Sequence, residues 1–143
     1  MALAVSENPM GGVQSPLAQA RADQLVAREA EVRMLVHVVE HACAHPPIDK
    51  ADRARVKVRE SVDGRVDTEP LNGEGVPEVS AAAIADLGAT LGLSPVAGRM
   101  LVGEAMELAY RLPALWEQTR RGEVPAWHAR RVAKATITLT REA

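Results

Sequence analysis

One long helical stretch constrains this chain more than any other feature. It runs from Ser15 to His45, opened by Ser15-Pro16 and closed by Pro46-Pro47. A serine ahead of a helix can accept an amide proton of the first turn, and proline suits that turn because its missing N–H would have no partner there. The proline pair at the far end cannot continue the ladder. The core that such a helix joins must be built without phenylalanine, for the chain has none. Its aromatic residues are Tyr110, Trp116 and Trp127. Leucine, valine, isoleucine, methionine and much alanine remain, a mixture that suits closely packed helices better than sheets. The expected fold is all-α: a long N-terminal helix plus a bundle of short helices, joined by a flexible charged linker.

At 143 residues the chain is one small domain. Residues 1–14 are punctuated by Gly and Pro and read as a disordered tail. Residues 15–47 are the long helix with its stop. Residues 48–76, rich in charge and dotted with Gly and Pro, carry too little apolar surface to fold alone and read as a flexible linker. A V-x-V…DG…V pattern inside them could form a weak hairpin. Residues 77–143 return to helices, broken at Gly92-Leu93-Ser94, at Leu112-Pro113 and from Gly122 to Pro125.

With 17 basic and 19 acidic residues the net charge is −2, so only local clusters bear on nucleic-acid binding. A single cysteine, Cys43, leaves no internal disulfide framework and fits a reducing cytoplasm. The N-terminus has neither the basic start nor the apolar run of a signal peptide, and no segment approaches the ~20 apolar residues that span a bilayer. The expected location is cytoplasmic, without a membrane partner.

The stretch His37-Val38-Val39-Glu40-His41-Ala42-Cys43-Ala44-His45 contains H-x-x-E-H, the spelling of an inverted zinc-protease motif. Helical geometry argues against a zinc site. At 100° per residue, Leu25, Val32, Val36, Val39 and Cys43 fall in one stripe, read as the core face. His37, His41 and His45 align with one another but lie roughly 120–200° away from that stripe. They are read as a solvated face, Cys43 as a small buried residue, and neither a metal nor a catalytic residue is assigned.

Ser80 to Leu112 reads as a helix-turn-helix-like hairpin. A helix bearing Ile84, Leu87 and Leu91 ends at Gly92, and Ser94-Pro95 opens a second one. The second helix is a poor DNA reader. It begins Val96-Ala97-Gly98 with only Arg99 basic, and Glu104 and Glu107 would repel phosphate. Packing of a helical hairpin is the reading adopted.

Basic residues concentrate further on. Arg120, Arg121, Trp127, Arg130, Arg131 and Lys134 form the candidate nucleic-acid patch, with Trp127, Arg130 and Lys134 on one face of the last helix and Arg131 on its flank. Against this, Arg120 and Arg121 also suit a helix C-terminus, where the dipole favours cations, and Trp127 could pack on a neighbour.

GEGVPEVSAAAIADLGATLGLSP, followed by RLPALWEQTRRGEVPAWHARRVAKAT, resembles the helical domain at the N-terminus of many actinobacterial HNH endonucleases, the domain of unknown function 222 family. HACAHP is similar to the helix end that precedes the variable linker there. The resemblance covers most of Ala20 to Ala143. It implies further helices and a C-terminal HNH nuclease domain in cis, with this domain positioning the nuclease or helping to hold DNA. HNH chemistry needs a histidine base and a held metal. Beyond His45 the chain offers only His128, so no cofactor is expected here, and a divalent metal only in the nuclease domain. Thr140-Arg141-Glu142-Ala143 reads as the start of another helix. A fragment is therefore expected, with apolar surface near Val132, Ile137 and Leu139 left under-covered and self-association favoured. Three function classes follow: a non-catalytic helical domain assisting DNA binding, a protein-interaction or dimerisation module, and a metal-dependent hydrolase.

Overall fold

The Ser15 hydroxyl accepts the Ala18 amide proton at 3.2 Å and Pro16 takes the first turn, as the sequence requires. The computed structural model describes residues 15–60, 66–68 and 70–140. The tail 1–14 and residues 141–143, where a further helix was expected to begin, lie outside them. Helix α1 spans Pro16–Ala44 and ends two residues before Pro46, where the His45 amide turns back to the Ala42 carbonyl. At 1.5 Å per residue its 29 residues extend roughly 43 Å.

Six helices and one strand pair make up the described chain. After α1 come α2 (Lys50–Lys57), β1 (Val58–Glu60), β2 (Val66–Thr68), α3 (Ala81–Thr90), α4 (Pro95–Arg111), α5 (Pro113–Arg120) and α6 (Ala126–Thr136). No single helix among them is long and apolar enough to cross a membrane. The all-α reading holds, and the helix breaks fall where Gly92 and Gly122 adopt positive φ, 66° and 77°.

Helix α4 is the axis of the bundle. Its run from Leu101 to Leu108 is buried without interruption. Leu35, Val38 and Ala42 of α1, Ala83 and Ile84 of α3, and Ala126, Ala129 and Ala133 of α6 close around it. Three alanines on α6 at i, i+3 and i+7 are what let that helix lie close, since a larger residue would hold the backbones apart. At the α3–α4 corner, where the axes turn by 109°, Gly88 and Gly98 meet. A Cβ on Gly98 would stand 3.1 Å from the Gly88 Cα, so glycine sets how tightly this hairpin closes.

Two expectations need correction. The core face of α1 is not centred on the Leu25–Cys43 stripe, although Val32 and Val39 of that stripe are half-buried against the core. Leu35, Val38 and Ala42 are buried, whereas Leu25 and Cys43 are exposed, a rotation of roughly 100°. And residues 48–76 are not simply a linker. Helix α2 buries Asp52 and Val56. The Asp52 carboxylate accepts the Ala81 amide at 2.8 Å and the Ile48 amide at 3.1 Å, which ties α2 to the start of α3. The weak hairpin is present as the antiparallel pairing of β1 with β2, Arg59 opposite Asp67, although the DG turn itself lies outside the described residues.

Candidate nucleic-acid interface

Helix α6 buries Ala126, Ala129 and Ala133, and so turns Trp127, Arg131 and Lys134 outward at i, i+4 and i+7. Trp127 is 55% exposed and stacks on His128, with ring centroids 5.2 Å apart and planes 17° from parallel. The sequence pattern puts Arg130 in this row and Arg131 on its flank; the structure exchanges the two. Arg130 does not join the row. One residue's rotation aims it at α4, where its Nε donates to Glu104 Oε2 at 2.6 Å.

That contact also revises the reading of α4. Glu104 and Glu107, expected on the surface as phosphate-repelling charges, are both buried. Glu107 is fully enclosed and accepts three hydrogen bonds: from the Gly73 amide at 3.1 Å, from Arg111 Nη1 at 2.7 Å and from Thr136 Oγ1 at 3.1 Å. Arg111 continues to the carbonyls of Thr136 and Leu139. Carboxylates this deep are costly unless they are paired and hydrogen-bonded, as both are here. This network fastens the end of α6, and residues 71–73, to α4. Helix α4 is thus a packing element, as the hairpin reading held, but for burial and not for surface acidity.

Arg120 and Arg121 stand at the C-terminal end of α5, both exposed, and share Glu117 at 3.7 and 3.0 Å. Exposed pairs of this kind hold their partners weakly. Beside them α1 contributes residues absent from the anticipated patch. A groove of about 430 Å³ between α1 and the α5–α6 turn is lined by Arg28, Arg33, Arg120 and Arg121, with Leu25, Val32 and Val124 among its apolar residues and Glu29 its acidic one. No local pattern links residues 28–33 to 120–126. The register of α1 against the α5–α6 turn creates the cluster, which is why sequence spacing misses it.

The histidines divide. His37 pairs with Glu40 at 3.0 Å on the exposed surface of α1. His45 is exposed, and its Nδ1 lies 2.8 Å from the His41 carbonyl. His41, expected with them in solvent, is half-buried, its Nε2 3.2 Å from the Ala83 carbonyl across the α1–α3 seam. The same rotation of α1 that exposes Cys43 carries His41 toward the bundle. No group of three His, Cys, Asp or Glu side chains among the described residues is placed to hold a metal ion. Cys43 contacts Tyr110, Sγ to hydroxyl 3.0 Å, and this bond, then burial and the charge of an ionised Cys43, raise the Tyr110 hydroxyl above its ordinary pKa.

No protein-family model, curated protein or solved structure matches the chain.

Proposed function

We propose that this chain is a non-catalytic helical domain of an HNH endonuclease-type protein, and that it helps to hold DNA for a nuclease domain in cis. The outward row Trp127, Arg131 and Lys134 on α6 carries this reading, supported by Arg120 and Arg121 at the end of α5. An aromatic among exposed cations suits nucleic acid, where cations meet phosphate and rings meet bases. The sequence resemblance from Gly73 to Thr136 supplies the nuclease context.

Fluorescence anisotropy with labelled DNA across a salt series tests it. Four exposed cations on the phosphates of a duplex should give a slope of roughly −3 to −4 in log K against log salt, and Arg131→Glu with Lys134→Glu should remove about half of it. Absence of binding to any DNA at low salt would sink the reading.

A specific observation favours the runner-up, a protein-interaction or dimerisation module. Leu17, Leu25 and Val26 are exposed on the outer half of α1, and Val132 and Leu139 on α6 and just beyond it. Apolar side chains left in water are what a partner would cover. Sedimentation equilibrium separates the two: a dimer that Leu25→Gln dissociates, together with no DNA binding, selects the interaction module.

A further inference from the structure

We infer that the groove between the outer half of α1 and the α5–α6 turn takes a single strand of nucleic acid, its phosphates against Arg28, Arg33, Arg120 and Arg121 and an unstacked base on the apolar floor. The inference rests on the DNA reading above and names the form of DNA and the site.

Charge is the first argument. Four arginines line one groove whose only acidic lining residue among the described residues is Glu29, in a chain of net charge −2. Arg120 and Arg121 already share Glu117. Arg28 and Arg33 meet no carboxylate among the described residues, so an arriving anion displaces no partner from them. Guanidinium groups suit phosphate because they present a flat fork of donors.

Shape and floor decide which form of DNA. A volume of about 430 Å³ lies within the range of pockets that enclose small ligands. Leu25, Val32 and Val124 offer nothing to phosphate but a suitable surface to the face of a base. A duplex keeps its bases stacked inside and cannot use that floor. Nor is α1 suited to lie along a duplex, since Asp23, Glu29 and Glu31 alternate with its arginines. Trp127 does not line the groove, but it follows Ala126 in the chain and is exposed and stacked on His128, a stacking surface for another base of the same strand. An acidic peptide could meet the same arginines, but the exposed planar pair favours a nucleotide.

Anisotropy with the full chain tests this, using a labelled oligothymidylate of ~12 nucleotides and a duplex of equal length. The strand is expected to bind about tenfold tighter than the duplex. Arg28→Glu with Arg33→Glu is expected to weaken strand binding about tenfold with an unchanged circular dichroism spectrum, while Arg55→Glu with Lys57→Glu, the same charge change at two exposed residues of α2, moves it less than about twofold. Three outcomes overturn the inference while leaving the DNA reading intact: a duplex bound as tightly as the strand, an unchanged Arg28/Arg33 variant, or an equal loss from Arg55→Glu with Lys57→Glu. A polyglutamate peptide that competes as well as the oligonucleotide overturns the nucleotide assignment. Failure to bind either DNA overturns the DNA reading itself.

Discussion

Arg130 Nε lies 2.6 Å from Glu104 Oε2, so an arginine from the middle of a basic run is bonded to a carboxylate of the central helix. Glu104 is 5% exposed while the Arg130 side chain keeps about a third of its surface in water. The pair is a fastening between α4 and α6. Arg130→Ala strands the carboxylate, and because water can reach it from the Arg130 side the loss should fall somewhat below that of a fully enclosed pair, about 2 kcal/mol by urea denaturation. Replacing both, Arg130→Met with Glu104→Leu, should recover most of that loss, since apolar residues of similar size often substitute for a buried pair. The DNA salt slope should be the same in Arg130→Ala as in the parent, but shallower by about one in Arg131→Ala. An altered slope in Arg130→Ala would show that the pair opens for phosphate.

Three glycines in one pair of helices should respond differently to alanine. Alanine is intrinsically better in a helix by about 1 kcal/mol, so the space decides the sign. At Gly88 a Cβ makes ordinary contacts of 3.8 Å and longer, and Gly88→Ala should be neutral or slightly stabilising. At Gly98 the Gly88 Cα stands 3.1 Å away, and the two effects should nearly cancel. At Gly103 the Leu71 carbonyl oxygen is only 2.6 Å off, so residues 71–73 must shift, and a loss of about 2 kcal/mol is expected. Thermal unfolding of the three variants checks the order.

What the sequence makes legible here is punctuation. Ser15, Ser80 and Ser94 cap their helices through hydroxyls accepting amides at 3.0 to 3.2 Å, and Gly92 and Gly122 end theirs. Caps are local chemistry and can be read locally. The orientation of α1 cannot. Its outer half is almost wholly exposed yet carries Leu17, Leu25 and Val26, and the stripe of Leu25, Val32, Val36, Val39 and Cys43 lies roughly 100° from Leu35, Val38 and Ala42, the residues that are buried. Helix α2 escapes because it is held by one buried valine and one buried aspartate, a signal too sparse for periodicity. The outward face of α6 is legible at Trp127, Arg131 and Lys134. The basic run misled at Arg130, because an inward partner on α4 leaves no trace in local spacing.

Tyr110 gives the protein an alkaline signature. As the single tyrosine in the chain, bonded to the single cysteine, it can be followed by tyrosinate absorbance. Its folded-state pKa is raised, so the neutral phenol is the form that folding favours. The contribution to stability is complete below the unfolded value of about 10 and is lost as pH rises through the higher folded value. Cys43→Ala removes the hydrogen bond that contributes most to the shift and should bring the titration midpoint down toward the ordinary tyrosine value. An unmoved midpoint would assign the shift to burial alone.

The outer half of α1 should be the least stable helical backbone in the molecule. From Pro16 to Ala27 every residue is exposed, and burial becomes complete only at Leu35. An isolated helix of this length is marginal in water, since nucleation is costly and propagation gains little without packing. The Ser15 cap and the Arg21–Gln24 side-chain bond at 2.7 Å add only modest support. Amide exchange should therefore be fast through Leu25 and slow through Leu35 to Ala42, whose protection should approach that of global unfolding. A ligand lodged between α1 and the α5–α6 turn changes this, because Arg28 and Arg33 cannot contact it unless the helix is formed around them. Oligothymidylate at saturating concentration should slow exchange between Leu25 and Arg33 while leaving Leu35 to Ala42 unchanged. Protection confined to α6 would mean that DNA is held by Trp127, Arg131 and Lys134 without the groove.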